Sequence, residues 1–256
     1  MTARVALVSG GGRGIGRAIS LALAEDGCDV AVNYRKDVDA AEQTVKDIEA
    51  LGRRAVAVAG NVGEWDDCVS MVDKAVDALG PISILVHNGG IASRGNSVAD
   101  TDPAEFERVV KTHAFGGFYL AKLCVPHMIG QARGDVVMIS SVATDGLAPN
   151  SAPYNAGKAA LEAIAFGLAK EVTKDGIHVN IVAPGLVATD MGDRLTKAMT
   201  GGRAETADAL DSGAPFGHVC RPEEVASVVR WLCSDGAAYV HGVRIRVDGG
   251  GSVLGR

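Results

Sequence analysis

The sequence contains no basic run. Its 25 Lys and Arg are outnumbered by 31 Asp and Glu, for a formal net charge of −6. A nucleic-acid surface normally needs a clustered basic face, so no nucleic-acid partner is expected. No apolar stretch approaches the roughly 20 residues of a bilayer span, which argues against a membrane protein. The opening Met-Thr-Ala-Arg-Val runs straight into strand-like residues, with no signal-peptide pattern ahead of them. Among the six histidines there is no H-E-x-x-H or similar ligand spacing, so no metal site is expected. The cysteines, Cys28, Cys68, Cys124, Cys220 and Cys233, are odd in number, scattered, and form no C-x-x-C pair. They read as reduced thiols of a cytoplasmic protein, packed as small apolar side chains.

What is present is a chain of 256 residues, 47% hydrophobic and 22% charged, the size and balance of one soluble domain around a single core. Short runs rich in β-branched residues recur: Val5 to Val8, Val30 to Val32, Ala55 to Ala59, Ile82 to Val86, Val136 to Ile139, Val179 to Val182 and Val243 to Val247. Near-continuous apolar strands imply burial on both faces, as in a parallel sheet covered by helices. Helical patterns fill the gaps: Ile15 to Asp26, Ala40 to Leu51, Trp65 to Leu79 and Pro103 to Met128. Pro103 and Pro222 suit first helical turns. The expected fold is therefore α/β: a single-domain, Rossmann-like, doubly wound parallel sheet of about seven strands with helices on both faces. The stretch from 188 to 217 has no firm period and is expected to be a long loop, a lid over substrate.

Directly after the first strand stands Ser9-Gly10-Gly11-Gly12-Arg13-Gly14-Ile15-Gly16. Glycines allow a tight turn and close backbone approach, and the following helix then aims its first amides at an anion. In this context the turn predicts dinucleotide binding. At the end of the second strand an acid would hold the ribose 2′-hydroxyl of NAD, while a base accommodates the 2′-phosphate of NADP. Here Tyr34 takes the usual acidic position and Arg35 follows. Arg13 and Arg35 are expected to converge on that phosphate, which favours NADP over NAD. The competing reading makes Arg35 and Lys36 solvated loop charges.

Tyr154-Asn155-Ala156-Gly157-Lys158 opens a helix after Pro153, and positions i and i+4 share a helix face. A phenol titrates near 10, and a neighbouring ammonium should draw it toward the operating pH. Tyr154 can then exchange a proton with a substrate oxygen. Thirteen residues earlier a strand ends in Met138-Ile139-Ser140-Ser141, at the edge where doubly wound sheets bind ligands. No glycine-flanked elbow supports a serine hydrolase.

With these residues in hand, the chain resembles the short-chain dehydrogenase/reductases, of the type that includes 3-oxoacyl-carrier-protein reductases. The resemblance covers essentially the whole length. It rests on the glycine turn, Asn88-Gly89-Gly90, Ser141, Tyr154, Lys158, Asn180 to Gly185, Thr189, and Val247-Asp248-Gly249-Gly250. It implies an NADP(H)-dependent enzyme interconverting a ketone and a secondary alcohol, with a 3-oxoacyl thioester as one candidate substrate. Lys158 would bind the nicotinamide ribose as well as tune Tyr154. Asn88, Gly89 and Gly90 would line the adenosine side, as would Asn61 and Val62. Pro184, Gly185 and Val187 would meet the carboxamide end, and Thr189 the pyrophosphate. A homotetramer paired through the helices starting near Pro103 and Pro153 is implied too. The family's usual Asp-Val is Asn61-Val62 here, and its Asn-Asn-Ala-Gly is His87-Asn88-Gly89-Gly90. Its catalytic helix asparagine is His113, which is expected either to join the proton relay, titrating near 6.5, or simply to pack. Arg133 matches a carrier-docking base, whereas Asp175 replaces another. Two alternatives stay open: an NAD-dependent alcohol, sugar or steroid dehydrogenase, and a cofactor-sensing scaffold without turnover.

Overall fold

A computed structural model describes residues 3–251. Seven parallel strands form one sheet in the order β3-β2-β1-β4-β5-β6-β7. They are β1 (Val5–Ser9), β2 (Asp29–Tyr34), β3 (Ala55–Ala59), β4 (Ile84–His87), β5 (Gly134–Ile139), β6 (Ile177–Pro184) and β7 (Arg244–Val247). Helices α1 (Gly14–Glu25), α2 (Val38–Ala50), α3 (Trp65–Leu79), α4 (Pro103–Val110), α5 (Gly116–Met128), α6 (Ala143–Gly146), α7 (Ala152–Val172), α8 (Asp190–Met199) and α9 (Pro222–Leu232) connect them.

Strand side chains alternate between two apolar cores, which is why the strands read as continuous hydrophobic runs. Val5, Leu7, Leu85, Val136 and Met138 face α3, α5 and α7. Ala6, Val8, Ile84, Val86, Val137 and Ile139 face α1 and α9, and α2 packs on this side as well. The five cysteines are free and four are buried; burial pushes the Cys68 and Cys220 thiols up to about 12, far from thiolate reactivity. Among the described residues no helix is long and apolar enough to cross a membrane.

The chain leaves β1 toward β2 and β3, then crosses back to place β4 on the other side of β1. Doubly wound sheets open a ligand crevice at such a reversal, beyond the carboxyl ends of the strands. Ser9 pairs with His87, and His87 with Met138, at this edge. The reversal thus brings residues 9–16, 87–90 and 139–141 to one rim.

Two elements differ from the sequence-based expectation. Pro103 to Met128 is not one regular helix: a wider π-turn, Lys111–Phe115, separates α4 from α5. Segment 188–217 is not a plain loop, for it contains α8, capped by Thr189 Oγ1 accepting the Gly192 amide at 3.1 Å. Met191, Leu195, Ala198 and Met199 fall at i, i+4, i+7 and i+8, a helical stripe that the sequence reading passed over; Leu195 and Met199 are exposed, while the buried residues of α8 are Gly192 and Thr196.

Gly16 has the least room of the turn. A Cβ there would lie 2.0 Å from the Gly10 carbonyl oxygen and 2.6 Å from Asn88 Nδ2. Gly16→Ala is expected to cost about 1–3 kcal/mol in denaturant unfolding and to weaken dinucleotide binding in the same preparation.

Candidate active site

The glycine turn is bolted to the strands around it. Gly10 donates its amide to Asn33 Oδ1 at 3.1 Å, and Gly11 donates to the Asn33 carbonyl at 2.9 Å. From β4, Asn88 Nδ2 donates to the carbonyls of Ser9 (3.1 Å) and Gly10 (3.2 Å). Gly10 and Gly14 take positive φ, +62° and +50°, which L side chains rarely adopt. A Cβ on Gly12 would meet the Ala41 backbone at 3.0 Å, so α2 also approaches closely. No side chain caps the first turn of α1 at Arg13. Those amides are open to an anion, and a nucleotide pyrophosphate fits this cradle. Ile15 packs into the core beneath it. Thr189 overhangs the turn: a Cβ on Gly14 would meet its methyl at 3.2 Å.

Beyond the ends of β2 and β3 lies a cavity of about 480 Å³, lined by Arg35, Lys36, Asn61, Gly63, Arg108 and Lys111 among others. Arg35 and Lys36 bring cationic side chains to it from just beyond β2, and Glu64 and Glu107 line it as well. Arg13 is not among the lining residues; its guanidinium is 3.8 Å from Asp190 at the start of α8. The expected convergence of Arg13 and Arg35 is therefore not seen. Instead α4 and the π-turn bring Arg108 and Lys111, which the sequence reading passed over. Their i, i+3 spacing on one helix face was the available signal. Asn61 Oδ1 accepts the Gly63 amide at 3.2 Å, and both residues line the cavity. Tyr34 packs on the apolar core, and Val62 is buried.

Tyr154, Lys158 and Ser141 come together. Lys158 is 3% exposed, its Nζ donates to the Ile139 carbonyl at 2.7 Å, and it lies 5.9 Å from the Tyr154 ring centre. Burial drives the Lys158 ammonium down to about 7, with Glu162 opposing the fall. Ser141 Oγ accepts the Ala143 amide at 3.1 Å, and the serine adjoins the Tyr154 phenol closely enough to favour its ionised form. Burial pushes the phenol above its usual value, and the serine only partly offsets this. The expectation that Lys158 draws Tyr154 down is not met in the cofactor-free site, where burial outweighs the lowering by Ser141. The arrangement can hold a protonated phenol and a hydroxyl against one substrate oxygen. At the far side of the rim Gly185 donates to the Val247 carbonyl, Pro184 ends β6, and Val187 bridges to Cys220.

Behind the tyrosine two histidines interlock. His87 Nε2–H donates to the His113 carbonyl at 3.1 Å, so its Nδ1 accepts the Ser9 hydroxyl at 3.1 Å. Ser9 Oγ in turn accepts the amides of Asn88 (3.0 Å) and Gly89 (2.8 Å). His87 thereby adds a second donor to a π-turn carbonyl that also accepts the Gly116 amide. Gly116 and Gly117 make room, since Cβ atoms there would come 3.1 and 3.3 Å from the His87 ring. His113 donates from Nε2 to the Ile91 carbonyl at 2.8 Å and stands edge-on to Tyr154, with ring centres 5.1 Å apart. Its Nδ1 is buried with no hydrogen-bond partner. A Cβ on Gly90 would lie 3.4 Å from that Nδ1 and 3.6 Å from Lys158 Nζ, so both atoms face one glycine gap. Burial first, then the Lys158 charge, hold His113 well below 6.5, and the same causes take His87 to about 3. The expected titration of His113 near neutrality is corrected accordingly.

Arg133 is not free for a carrier protein. It precedes β5, at the amino edge of the sheet, and is bound to Asp135 (2.9 Å) and to the Leu232 carbonyl (2.9 Å).

Comparison with known proteins agrees with this geometry. A protein-family model described as enoyl-(acyl carrier protein) reductase matches residues 10–252. The 3-oxoacyl-[acyl-carrier-protein] reductase FabG of Staphylococcus aureus is 35% identical over 245 residues, 96% of each chain. Versicolorin reductase of Emericella nidulans is 36% identical over 253 residues, covering 96% of this chain and 95% of that one. A solved Sinorhizobium meliloti structure, titled as a short-chain alcohol dehydrogenase, superposes with TM-score 0.88 at 34% identity, covering 98% of this chain and 96% of that one.

Because both site imidazoles are neutral when folded, His113→Asn is expected to leave the pH profile of turnover unchanged between about pH 6 and 8. A shifted limb in that range would mean that His113 titrates there. On unfolding both rings regain protons below about 6.5, so stability of the cofactor-free chain falls as pH drops from there toward 3.

Proposed function

The chain belongs to the short-chain dehydrogenase/reductases, oxidoreductases of carbonyl and alcohol carbons, and from this we propose that it is an NADPH-dependent ketoreductase acting on a 3-oxoacyl thioester. The observation that carries the reading is the meeting of Tyr154, Ser141 and a buried Lys158 at the carboxyl edge of β5. NADPH rather than NADH is supported by Arg35 and Lys36 at the mouth of the cavity, with no acid at the end of β2.

When bound, the cofactor supplies hydride to the substrate carbon. Gly10, Gly12, Gly14 and Gly16 would cradle its pyrophosphate with Thr189 over it. Asn61, Val62, Asn88, Gly89 and Gly90 would flank the adenosine, and Lys158 the nicotinamide ribose. Pro184, Gly185 and Val187 would bound the nicotinamide end. Ser141 holds the substrate oxygen with one hydrogen bond while Tyr154 gives that oxygen its proton. A phenol raised by burial is protonated at neutral pH, the form that reduction needs and alcohol oxidation does not. Lys158, poised near 7, can replace the proton. His113 Nδ1 would accept from a water shared with Lys158 across the Gly90 gap.

A single domain carries both sites in this reading, with segment 188–217 as the substrate lid. Phe106, Phe115, Phe118 and Phe166 are exposed on α4, the π-turn, α5 and α7, which supports homotetramer pairing through those helices. Five unpaired thiols suit a reducing compartment such as the cytoplasm. The commitment of Arg133 to Asp135, with Asp175 where a second base would serve, favours a free thioester or small ketone over a carrier-bound one.

The test follows nicotinamide absorbance with a short 3-oxoacyl thioester and either cofactor. Turnover with NADPH that Tyr154→Phe abolishes is expected, and Arg35→Ala should raise KM for NADPH by about tenfold or more while sparing that for NADH. Alcohol oxidation should climb as pH rises above 7, because it needs the phenol to lose a proton. Tight cofactor binding without turnover of any carbonyl would overturn the reading.

A further inference from the structure

The helix face that carries Tyr154 and Lys158 continues at the same spacing to Glu162, one turn further on. Glu162 is 15% exposed, and its Oε1 accepts hydrogen bonds from Ser140 Oγ, Thr144 Oγ1 (2.9 Å) and Arg244 Nε (2.8 Å). Arg244 comes from the edge strand β7 and reaches over β6. Its guanidinium, 13% exposed, spends its other donors on the segment that follows β5. One nitrogen bonds the Ser141 carbonyl at 3.0 Å and Thr144 Oγ1 at 2.8 Å, and another pairs with Asp145 at 3.1 Å. Thr144 Oγ1 also lies 3.0 Å from the Ser141 carbonyl. Arg246 holds Asp145 from the other side at 3.1 Å.

From this geometry we infer that Arg244 and Glu162 are positioning residues for Ser141, clamping its backbone between β7 and α7 so that its hydroxyl stays aimed at the substrate oxygen. The inference rests on the role assigned to Ser141 above. Ser141 lies past the end of β5, between the Ser140 and Val142 amides, which donate to the Val182 and Pro184 carbonyls of β6 at 2.7 and 3.0 Å, so its own carbonyl turns the other way and is met by Arg244. Its hydroxyl accepts the Ala143 amide, at the start of the short α6 that the two arginines hold through Thr144 and Asp145. A rigid planar guanidinium suits this task, because five donors in a fixed fork can bind a carboxylate, a carbonyl, a hydroxyl and a second carboxylate at once. A displacement of about 1 Å at a reacting group can cost a hundredfold in rate. A buried ion pair is itself weak support for stability, so the pair can be exchanged for apolar residues without unfolding the chain.

That last point separates positioning from mere stability. Arg244→Met strands the Glu162 carboxylate and is expected to lower both the thermal midpoint and kcat, the latter by about tenfold to a hundredfold, with cofactor Kd unchanged. Arg244→Met combined with Glu162→Met removes the stranded charge. The double variant is expected to regain the thermal midpoint and keep the kcat loss, with KM for the carbonyl altered by less than about threefold. In a Ser141→Ala background Arg244→Met should add less than about twofold, because it acts through the serine. Recovery of kcat together with the midpoint in the double variant would overturn the positioning role, as would a full second loss in the Ser141→Ala background. Ser141→Ala with undiminished kcat would instead overturn the assignment of Ser141 itself, and the clamp with it.

Discussion

The structure turns on one constraint: an ammonium held away from bulk solvent. Lys158 lies against the last carbonyl of β5 at 2.7 Å and is 3% exposed. Desolvating a cation is costly, so the proton on Nζ is held loosely, near 7 rather than 10.5. Much around it follows. A Cβ on Gly90 would press on the His113 ring at 2.9 Å and touch Lys158, and a Cβ on Gly157 would lie 3.1 Å from His113. The same dry interior that loosens the lysine proton tightens the one on Tyr154. Two adjacent groups thus move in opposite directions from a single cause, and the resulting poise suits proton delivery to a carbonyl oxygen.

The cofactor side answers to geometry instead of desolvation. Reversal of strand order beside β1 opens the crevice, and Asn33 and Asn88 fasten the glycine turn across it from either flank. His87 ties this rim to the π-turn through one imidazole with a single workable tautomer. The π-turn sets Lys111 toward the cavity on one side and His113 toward Tyr154 on the other. One irregular turn therefore serves both halves of the site.

Local patterns carried most of the fold into the sequence. Trp65–Leu79 and Ala55–Ala59 match the structure residue for residue: the helix has a strong apolar face, and the strand, half-buried at the sheet edge, is an unbroken run of Ala and Val. Ser141, Tyr154 and Lys158 were legible because strand end and i, i+4 spacing fix them locally. Helix α8 was legible too, in Met191, Leu195, Ala198 and Met199, although Leu195 and Met199 of that stripe lie at the surface. Other features were not written in any window. The His113 carbonyl of the π-turn takes a donor from His87, 26 residues away. Arg244 and Glu162 meet across 82 residues. The fall of the His113 and Lys158 pKa values reflects packing density, which composition does not reveal.

The measurement that bears most directly on this account is the titration of Lys158 in the cofactor-free protein, followed by NMR of side-chain-labelled lysine with Lys158→Met to assign the signal. A midpoint near 7, set apart from the other lysines, is the predicted result. A midpoint above about 9, within the ordinary lysine range, would show the ammonium to be solvated and would contradict the proton poise on which the proposed chemistry depends.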